Sequence, residues 1–311
     1  MLTKFMSGFG KAVTRGKLSI LIYHQVVATA DPMRPSEPTA KQFNWHMQVL
    51  RERFSPLSLT EGIRRLKDGS LPGNAVAVTF DDGYLNNLTV AEPILRKYSV
   101  PATVFVATGF SGGENMWNDR IIHMFSDQDR DVLELEGEQV VLGAWPQRRQ
   151  LASHWLKKVK YLPFQQRLNW ISEHYQRNRI VSQAPLMMTP EQVRSLRSNL
   201  VTIGAHTVNH PILKTLSPEQ QQNEIYHSKQ TLEDWLQHPV EHFAYPNGVI
   251  GRDLDDDTIL QVKLAGFKSA VVTNWGCNNQ HSNPLLLQRF TPWDRTPLRF
   301  QLRLLRNAIT G

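Results

Sequence analysis

The chain has 311 residues, of which 41% are hydrophobic and 9% aromatic, so it can bury the core of one large α/β domain or two ordinary ones, and a disordered chain is excluded. No window approaches the roughly 20 apolar residues that a membrane-spanning helix needs. The net charge of +7 would suit an anionic partner, but the basic residues are scattered without a nucleic-acid-binding motif, so nucleic-acid binding is not predicted.

Residues 1–17 form a separate N-terminal segment. Leu2, Phe5 and Phe9 recur at helical spacing among basic residues, which is the pattern of an amphipathic helix in peripheral contact with a membrane. A frayed terminus or a helix packed on the domain is the competing interpretation. No secretion signal is recognised, so the expected location is the cytoplasm or the inner-membrane surface. The single Cys277 excludes an intrachain disulfide.

Seven apolar runs are predicted as strands. Most are continuous rather than alternating, which is typical of parallel strands that are covered on both faces. In chain order they are Leu18–Tyr23, Ala75–Phe80, Ala102–Ala107, Leu200–Ile203, His242–Tyr245, Lys268–Val272 and Leu285–Phe290.

Helix-like segments alternate with these strands, and three of them begin with capping-box residues. The pairs are Thr39 with Gln42, Thr189 with Gln192, and Ser217 with Gln220. The alternation predicts a parallel sheet, either doubly wound or closed into a barrel. Seven strands are one short of the usual eight, so a distorted seven-stranded (β/α) barrel is preferred. We expect one domain over residues 18–311, with a helical insertion at about 108–189.

An adjacent pair of carboxylates, Asp81 and Asp82, ends the second predicted strand and is followed by Gly83. Charge at the tip of a buried strand requires a metal, a proton or a substrate to offset its desolvation. A solvated turn is the alternative, because Asp and Gly are common in turns.

Two histidines, His206 and His210, follow the strand that ends near Gly204. A helical turn at this point would place both imidazoles on one side, where they could reach a single metal. In barrels of parallel strands, active sites collect at the carboxyl ends of the strands. One carboxylate and two histidines would leave coordination positions open, as in catalytic metal sites.

Two further strand tips point to the same face. The segment His242-Phe-Ala-Tyr-Pro-Asn-Gly248 ends in turn residues, and an ordinary strand-to-loop turn would explain it. His24 ends the first strand, where it is either a satisfied polar group or part of the site.

Taken together, these motifs resemble the polysaccharide deacetylases of carbohydrate esterase family 4, whose shared region is the NodB homology domain. The matching segments are TFDDG at 79–83, HTVNH at 206–210, FAYPNG at 243–248 and LIYHQV at 21–26. The resemblance covers roughly residues 18–295. It implies a distorted barrel, a divalent metal (most often Zn²⁺, with Co²⁺ or Ni²⁺ as alternatives) and an acetylated amino-sugar glycan as the partner molecule.

The resemblance also implies roles for individual residues. Asp82, His206 and His210 would bind the metal. Asp81 would be the general base that takes a proton from water. The backbone N–H of Tyr245 would hold the oxyanion.

The chain departs from the commonest family pattern at two positions. Ala244 stands where many members have an Arg that supports the catalytic Asp, and Gln288 stands where many have a His. The branch that resembles exopolysaccharide N-acetylglucosamine deacetylases carries its His on the first strand instead, and His24 fits the role of acid there. Arg289 and Asp294 are predicted partners near the last strand tip.

Three tryptophans near predicted loops, Trp117, Trp275 and Trp293, are candidates for stacking on a sugar ring, with packing as the alternative. Asp294 is assigned to substrate binding with them. Two other functions stay open for the chain, a glycosidase with paired carboxylates and a non-catalytic glycan-binding module on a decayed scaffold.

Overall fold

A computed structural model of the protein describes residues 14–310, so the membrane contact predicted for segment 1–17 falls almost entirely outside the described residues. Seven parallel strands form a nearly closed barrel. The strands are β1 (Leu18–Tyr23), β3 (Ala75–Phe80), β4 (Ala102–Val106), β7 (Val201–Ala205), β8 (His242–Ala244), β9 (Ser269–Trp275) and β10 (Leu287–Arg289). Neighbouring strands in the barrel follow the order β1-β3-β4-β7-β8-β9-β10.

The barrel closes between its first and last strands. Phe290 N–H donates to the Ile20 carbonyl at 2.8 Å, and Ile22 N–H donates to the Phe290 carbonyl at 3.0 Å. A two-residue strand, β2 (Ser55–Pro56), adds to β3. The predicted distorted seven-stranded (β/α) barrel is confirmed, and all seven predicted strands are present with ends shifted by up to three residues.

Helices surround the barrel, and the predicted capping boxes at Thr39, Thr189 and Ser217 are all formed. In chain order, the α-helices of the described residues are α1 (Ala40–Arg53), α2 (Leu59–Asp68), α3 (Glu92–Tyr98), α4 (Trp117–Met124), α5 (Trp145–Val159), α6 (Phe164–Arg177), α7 (Pro190–Leu196), α8 (Pro218–Leu236), α9 (Asp256–Leu264) and α10 (Pro297–Thr310).

Two layers of apolar side chains hold this arrangement. Small and aliphatic residues with Phe105 fill the barrel interior, and a larger cluster fills the space between the strands and the outer helices. Burying these side chains stabilises the fold by roughly 25 cal/mol for each Å² of apolar surface removed from water. Because both faces of most barrel strands are covered, these strands read as apolar runs in the sequence.

The insertion between β4 and α7 has a core of its own, built from α4, α5, α6 and an antiparallel hairpin, β5 (Val132–Leu135) with β6 (Glu138–Val141). Asp119 of α4 ties it to the barrel, because it accepts hydrogen bonds from Arg34 Nη2 at 2.7 Å and from Tyr84 Oη at 2.8 Å. Tyr84 directly follows Gly83, so the insertion contacts the loop that carries the paired carboxylates.

Candidate active site

The predicted site residues lie at the carboxyl ends of four barrel strands. Asp81 and Asp82 follow β3, His206 follows β7, His24 follows β1, and Tyr245 follows β8. The chain turns sharply after β3, with positive φ angles at Asp82 (75°) and Gly83 (86°). A side chain at Gly83 would approach Val106 to 3.1 Å, so both the turn and the close packing favour glycine.

Asp82 and the two histidines converge on one point. Asp82 Oδ1 lies 3.4 Å from His206 Nε2 and 3.5 Å from His210 Nε2. The three candidate ligand atoms all lie within 4.8 Å of one another. Two neighbouring ligands of a tetrahedral zinc ion are about 3.4 Å apart, since each lies about 2.0–2.2 Å from the metal. The spacing of this cluster therefore fits a divalent cation.

The hydrogen bonding of Asp82 supports the same conclusion. Asp82 Oδ1 is buried and has no hydrogen-bond partner among residues 14–310. Leaving a buried carboxylate oxygen unpaired is costly, and a cation at this point would satisfy it. The nearby histidines hold the pKa of Asp82 well below its usual value despite its burial, so it is an anionic ligand.

Both imidazoles are held in place for binding a cation. His206 Nδ1 lies 2.7 Å from the Ala244 carbonyl, which orients the ring so that Nε2 faces Asp82. Burial lowers the pKa of His210 to about 4, so its ring is neutral at physiological pH. Thr207 and His210 have positive φ angles of 64° and 51°, an unfavourable backbone conformation that the surrounding contacts must maintain.

Glu224 of α8 supplies those contacts from outside the barrel. Its Oε2 accepts hydrogen bonds from the backbone N–H of Val208 at 2.9 Å and of Asn209 at 2.8 Å. Its Oε1 accepts from Asn209 Nδ2 at 2.7 Å. The carboxylate therefore clamps the loop between His206 and His210, a contact that sequence reasoning missed because Glu224 belongs to no recognised motif.

Asp81 pairs with Arg289 and does not belong to this ligand cluster. Both terminal nitrogens of the Arg289 guanidinium donate to the Asp81 carboxylate, Nη1 to Oδ1 and Nη2 to Oδ2, each at 2.7 Å. The Arg289 side chain is fully buried and donates further hydrogen bonds to the Val272 carbonyl and Thr79 Oγ1. Arg289 of β10 thus supports the Asp81 carboxylate, the task that the family pattern gives to an Arg at the position of Ala244.

This pairing sets the charge of Asp81. Burial alone would raise its pKa, but the Arg289 guanidinium outweighs that effect and the pKa is lowered. Asp81 is therefore an ionised carboxylate able to accept a proton. Because Asp81 faces Arg289 while Asp82 faces the histidines, the two do not flank a single bond as the carboxylates of a glycosidase do.

His24 lies close enough to this centre to influence its charges. Its imidazole contributes to the lowered pKa of both Asp81 and Asp82. Burial raises the pKa of Glu37, and His24 is the largest opposing influence on that carboxyl group. The structure thus adds Glu37, which sequence reasoning missed, to the surroundings of His24.

The backbone N–H of Tyr245, which was predicted to hold the oxyanion, already has a hydrogen-bond acceptor. Tyr245 N–H donates to the Val271 carbonyl at 3.2 Å, so it is already used between neighbouring strands. Pro246 has no N–H, and the next amide belongs to Asn247, whose φ is +59°. Within the described residues, no acceptor forms a hydrogen bond with the Asn247 N–H. This amide therefore replaces the Tyr245 N–H as the candidate donor to the oxyanion.

Of the predicted substrate-binding residues, two are engaged elsewhere. Trp117 is buried in the core of the insertion, with the Arg167 guanidinium 4.5 Å above its ring, so it has no free face for a sugar, contrary to the prediction. Asp294 is buried and its Oδ2 pairs with Arg303 Nε at 2.9 Å, which ties the end of β10 to α10.

Trp275 and Trp293 are each 48% exposed, with ring centroids 4.7 Å apart. Trp275 also packs on Phe290, which belongs to the apolar layer between the strands and the outer helices. The pair therefore lies on the outer side of the barrel wall, and its stacking on a sugar stays a prediction.

A parallel (β/α) barrel with two carboxylates and two histidines at the carboxyl ends of its strands is the architecture of a hydrolase. The model of the polysaccharide deacetylase family matches residues 68–270, and the chain belongs to that family. It is accordingly a deacetylase that acts on an acetylated polysaccharide.

Individual relatives agree with this assignment. YxkH of Bacillus subtilis (strain 168) is 23% identical over 285 residues, which cover 91% of this chain and 74% of that protein. The poly-beta-1,6-N-acetyl-D-glucosamine N-deacetylase of Staphylococcus aureus (strain MSSA476) is 42% identical over 62 residues, only 20% of this chain and 21% of that protein.

Two solved structures share the fold. The Streptococcus pyogenes deacetylase PplD in complex with acetate has a TM-score of 0.62 at 23% identity, over 93% of this chain and 98% of that chain. IcaB from Ammonifex degensii has a TM-score of 0.61 at 20% identity, over 95% and 98% respectively. Within residues 14–310, no helix is both long and apolar enough to cross a membrane.

Proposed function

We propose that the protein is a metal-dependent hydrolase that removes N-acetyl groups from an amino-sugar polysaccharide or a glycan intermediate. The observation that carries this proposal is the cluster of Asp82, His206 and His210 beside the separately held carboxylate of Asp81. Asp82, His206 and His210 would hold the cation, most often Zn²⁺ for such a donor set, with Co²⁺ or Ni²⁺ as alternatives.

When bound, the cation would polarise the acetamide carbonyl and lower the pKa of the attacking water. Asp81 accepts a proton from that water while Arg289 holds both of its oxygens, each of which keeps a lone pair for the proton. The Asn247 N–H donates to the oxygen that gains negative charge as water adds to the carbonyl carbon. His24 gives a proton to the sugar nitrogen as the carbon–nitrogen bond breaks, because an unprotonated amide nitrogen is a poor leaving group.

Poly-beta-1,6-N-acetylglucosamine is the first substrate to test, because the relative from Staphylococcus aureus is named for it. Oligomers of β-1,4-linked N-acetylglucosamine and of peptidoglycan present the same acetamide group on different backbones. Release of acetate, compared across these three, would identify the glycan by its kcat/KM.

Removal of the metal tests the proposal directly. The protein is treated with a chelator, and the chelator is then removed by dialysis. This protein is expected to release no acetate from the glycan, and addition of Zn²⁺, Co²⁺ or Ni²⁺ is expected to restore acetate release. Chain length of the glycan should stay unchanged while free amines appear. Shortened chains with acetyl groups intact would indicate a glycosidase instead, and glycan binding without acetate release under any metal would indicate a non-catalytic module.

The Glu224 clamp gives a second prediction. Glu224→Ala is expected to weaken metal binding by about 10–100-fold, because the loop that carries His210 loses three hydrogen bonds. Titration calorimetry with Zn²⁺ measures this without relying on activity. Glu219→Ala removes an exposed carboxylate from the same helix as a matched control. Equal affinity in the two variants would show that the clamp does not position the metal ligands.

A further inference from the structure

The last helix, α10, exposes an apolar stripe. Leu298, Leu302 and Ile309 are 59%, 45% and 50% exposed and, at spacings of four and seven residues, lie along one face of the helix. The opposite face is buried against the barrel through Phe300, Leu304 and Ala308. Single exposed aliphatic residues are normal on protein surfaces, but three in line on one helix face indicate a surface that makes contact.

Positive charge runs beside this stripe. Helix α10 contains Arg299, Arg303 and Arg306 and no acidic residue. These arginines line a groove of about 590 Å³ whose other side is formed by Trp275 and Phe290. Among the described residues, Asp294 is the acidic side chain that lines the groove, and it is buried and paired with Arg303. Arg299 is exposed, so it presents a positive charge to solvent at this groove.

Two half-exposed tryptophans border the same surface. Trp293 stacks near Trp275, and the Arg303 guanidinium lies 4.9 Å above the Trp293 ring. Tryptophan is enriched where a bilayer meets water, arginine binds lipid phosphates there, and leucine reaches the boundary of the acyl chains. These three residue types lie together on one side of α10.

We propose that this α10 surface docks on an anionic lipid bilayer. The stripe of Leu298, Leu302 and Ile309 enters the headgroup boundary, and the arginines of the groove contact phosphates. An acidic glycan would match the arginines but offers no apolar partner for the stripe. A second copy related by two-fold symmetry would bring like charges together across the interface. The Trp275–Trp293 pair at its border is also the pair predicted to stack on a sugar, but the apolar stripe and Arg299 lie outside the deacetylase site, so the inference does not rest on the proposed function.

Vesicle co-sedimentation of the full chain tests this surface. We expect binding to phosphatidylcholine vesicles that contain phosphatidylglycerol, weaker binding as salt is raised, and little binding to phosphatidylcholine alone. Arg299→Glu changes the net charge by two, and each charge near an anionic surface changes the partition coefficient about fivefold. The variant is therefore expected to lower the partition coefficient by roughly 20-fold or more. Leu302→Ser is expected to lower it about tenfold through lost apolar contact.

Matched controls separate the surface from general exposure. Leu264→Ser changes a leucine that is 70% exposed on α9, and Arg194→Glu reverses an exposed charge on α7; both should bind vesicles like the wild type. Acetate release from soluble oligomers should be unchanged in all four variants, which reports on folding and on the deacetylase separately. Equal binding by Arg299→Glu, Leu302→Ser and the wild type would overturn the proposal. So would release from vesicles by an acidic polysaccharide at constant ionic strength, or a dimer in sedimentation velocity that Leu302→Ser dissociates.

Discussion

Asp82→Ala and Asp81→Asn are expected to inactivate the enzyme in two different ways. Asp82→Ala removes the only anionic member of the ligand cluster, so both Zn²⁺ binding and acetate release should fall below detection. Asp81→Asn leaves the cluster intact but cannot accept a proton, so Zn²⁺ should bind normally while kcat falls by about 10²–10⁴. Calorimetric titration with Zn²⁺ and an acetate assay measure the two effects independently.

The two variants serve as controls for each other, because the substituted residues are adjacent in the chain. His24→Gln adds a third comparison, with normal Zn²⁺ affinity and a kcat lowered through the departing amine. A cooperative thermal unfolding transition would confirm that each protein is folded, with a lower midpoint for Asp81→Asn because Arg289 loses its buried counterion. Turnover by Asp82→Ala, or loss of Zn²⁺ by Asp81→Asn, would contradict the assignment of ligand and base.

Much of the barrel could be predicted from the sequence, because a strand covered on both faces must be apolar throughout. Ala75–Phe80 shows this most clearly, since its predicted and observed bounds coincide. The predicted bounds of β8 and β10 were one and three residues too long, although Tyr245 and Phe290, just beyond their ends, still hydrogen-bond to neighbouring strands. Within the insertion, the hairpin β5–β6 was missed because its strands are mostly exposed and short.

The candidate site was predictable only where its residues form local motifs. Asp82, His206 and His210 converge as expected, because Asp82 and His206 follow the ends of two strands of the same barrel and His210 lies in the loop after β7. The Tyr245 N–H, predicted to hold the oxyanion, instead donates to the Val271 carbonyl, a pairing with the neighbouring strand that the sequence does not specify. Trp117 was misassigned because only the folded insertion shows that Arg167 covers its ring.

The sequence predicts Arg289 as a partner near the last strand tip, but its pairing with Asp81, 208 positions away in the chain, depends on the closure of the barrel. Arg289→Met is expected to lower the free energy of unfolding by about 3–5 kcal/mol, because it leaves Asp81 buried without its counterion. The same change favours the protonated form of Asp81, so kcat should fall by about 10²–10⁴. Arg289→Lys keeps the charge without the bidentate geometry and should lose less on both counts.

A double-mutant cycle separates the structural from the catalytic part of this effect. Asp81→Asn combined with Arg289→Met removes both charges, so it should recover most of the stability lost in Arg289→Met while remaining inactive. Urea unfolding and acetate release, measured on all four proteins of the cycle, give the two coupling energies. If stability losses were additive and Arg289→Met retained full turnover, the pair would be a packing contact alone. Coupling in stability, together with inactivity of all three variants, would instead show that Arg289 of β10 supports the Asp81 carboxylate. Many family members have an arginine for this task at the position of Ala244.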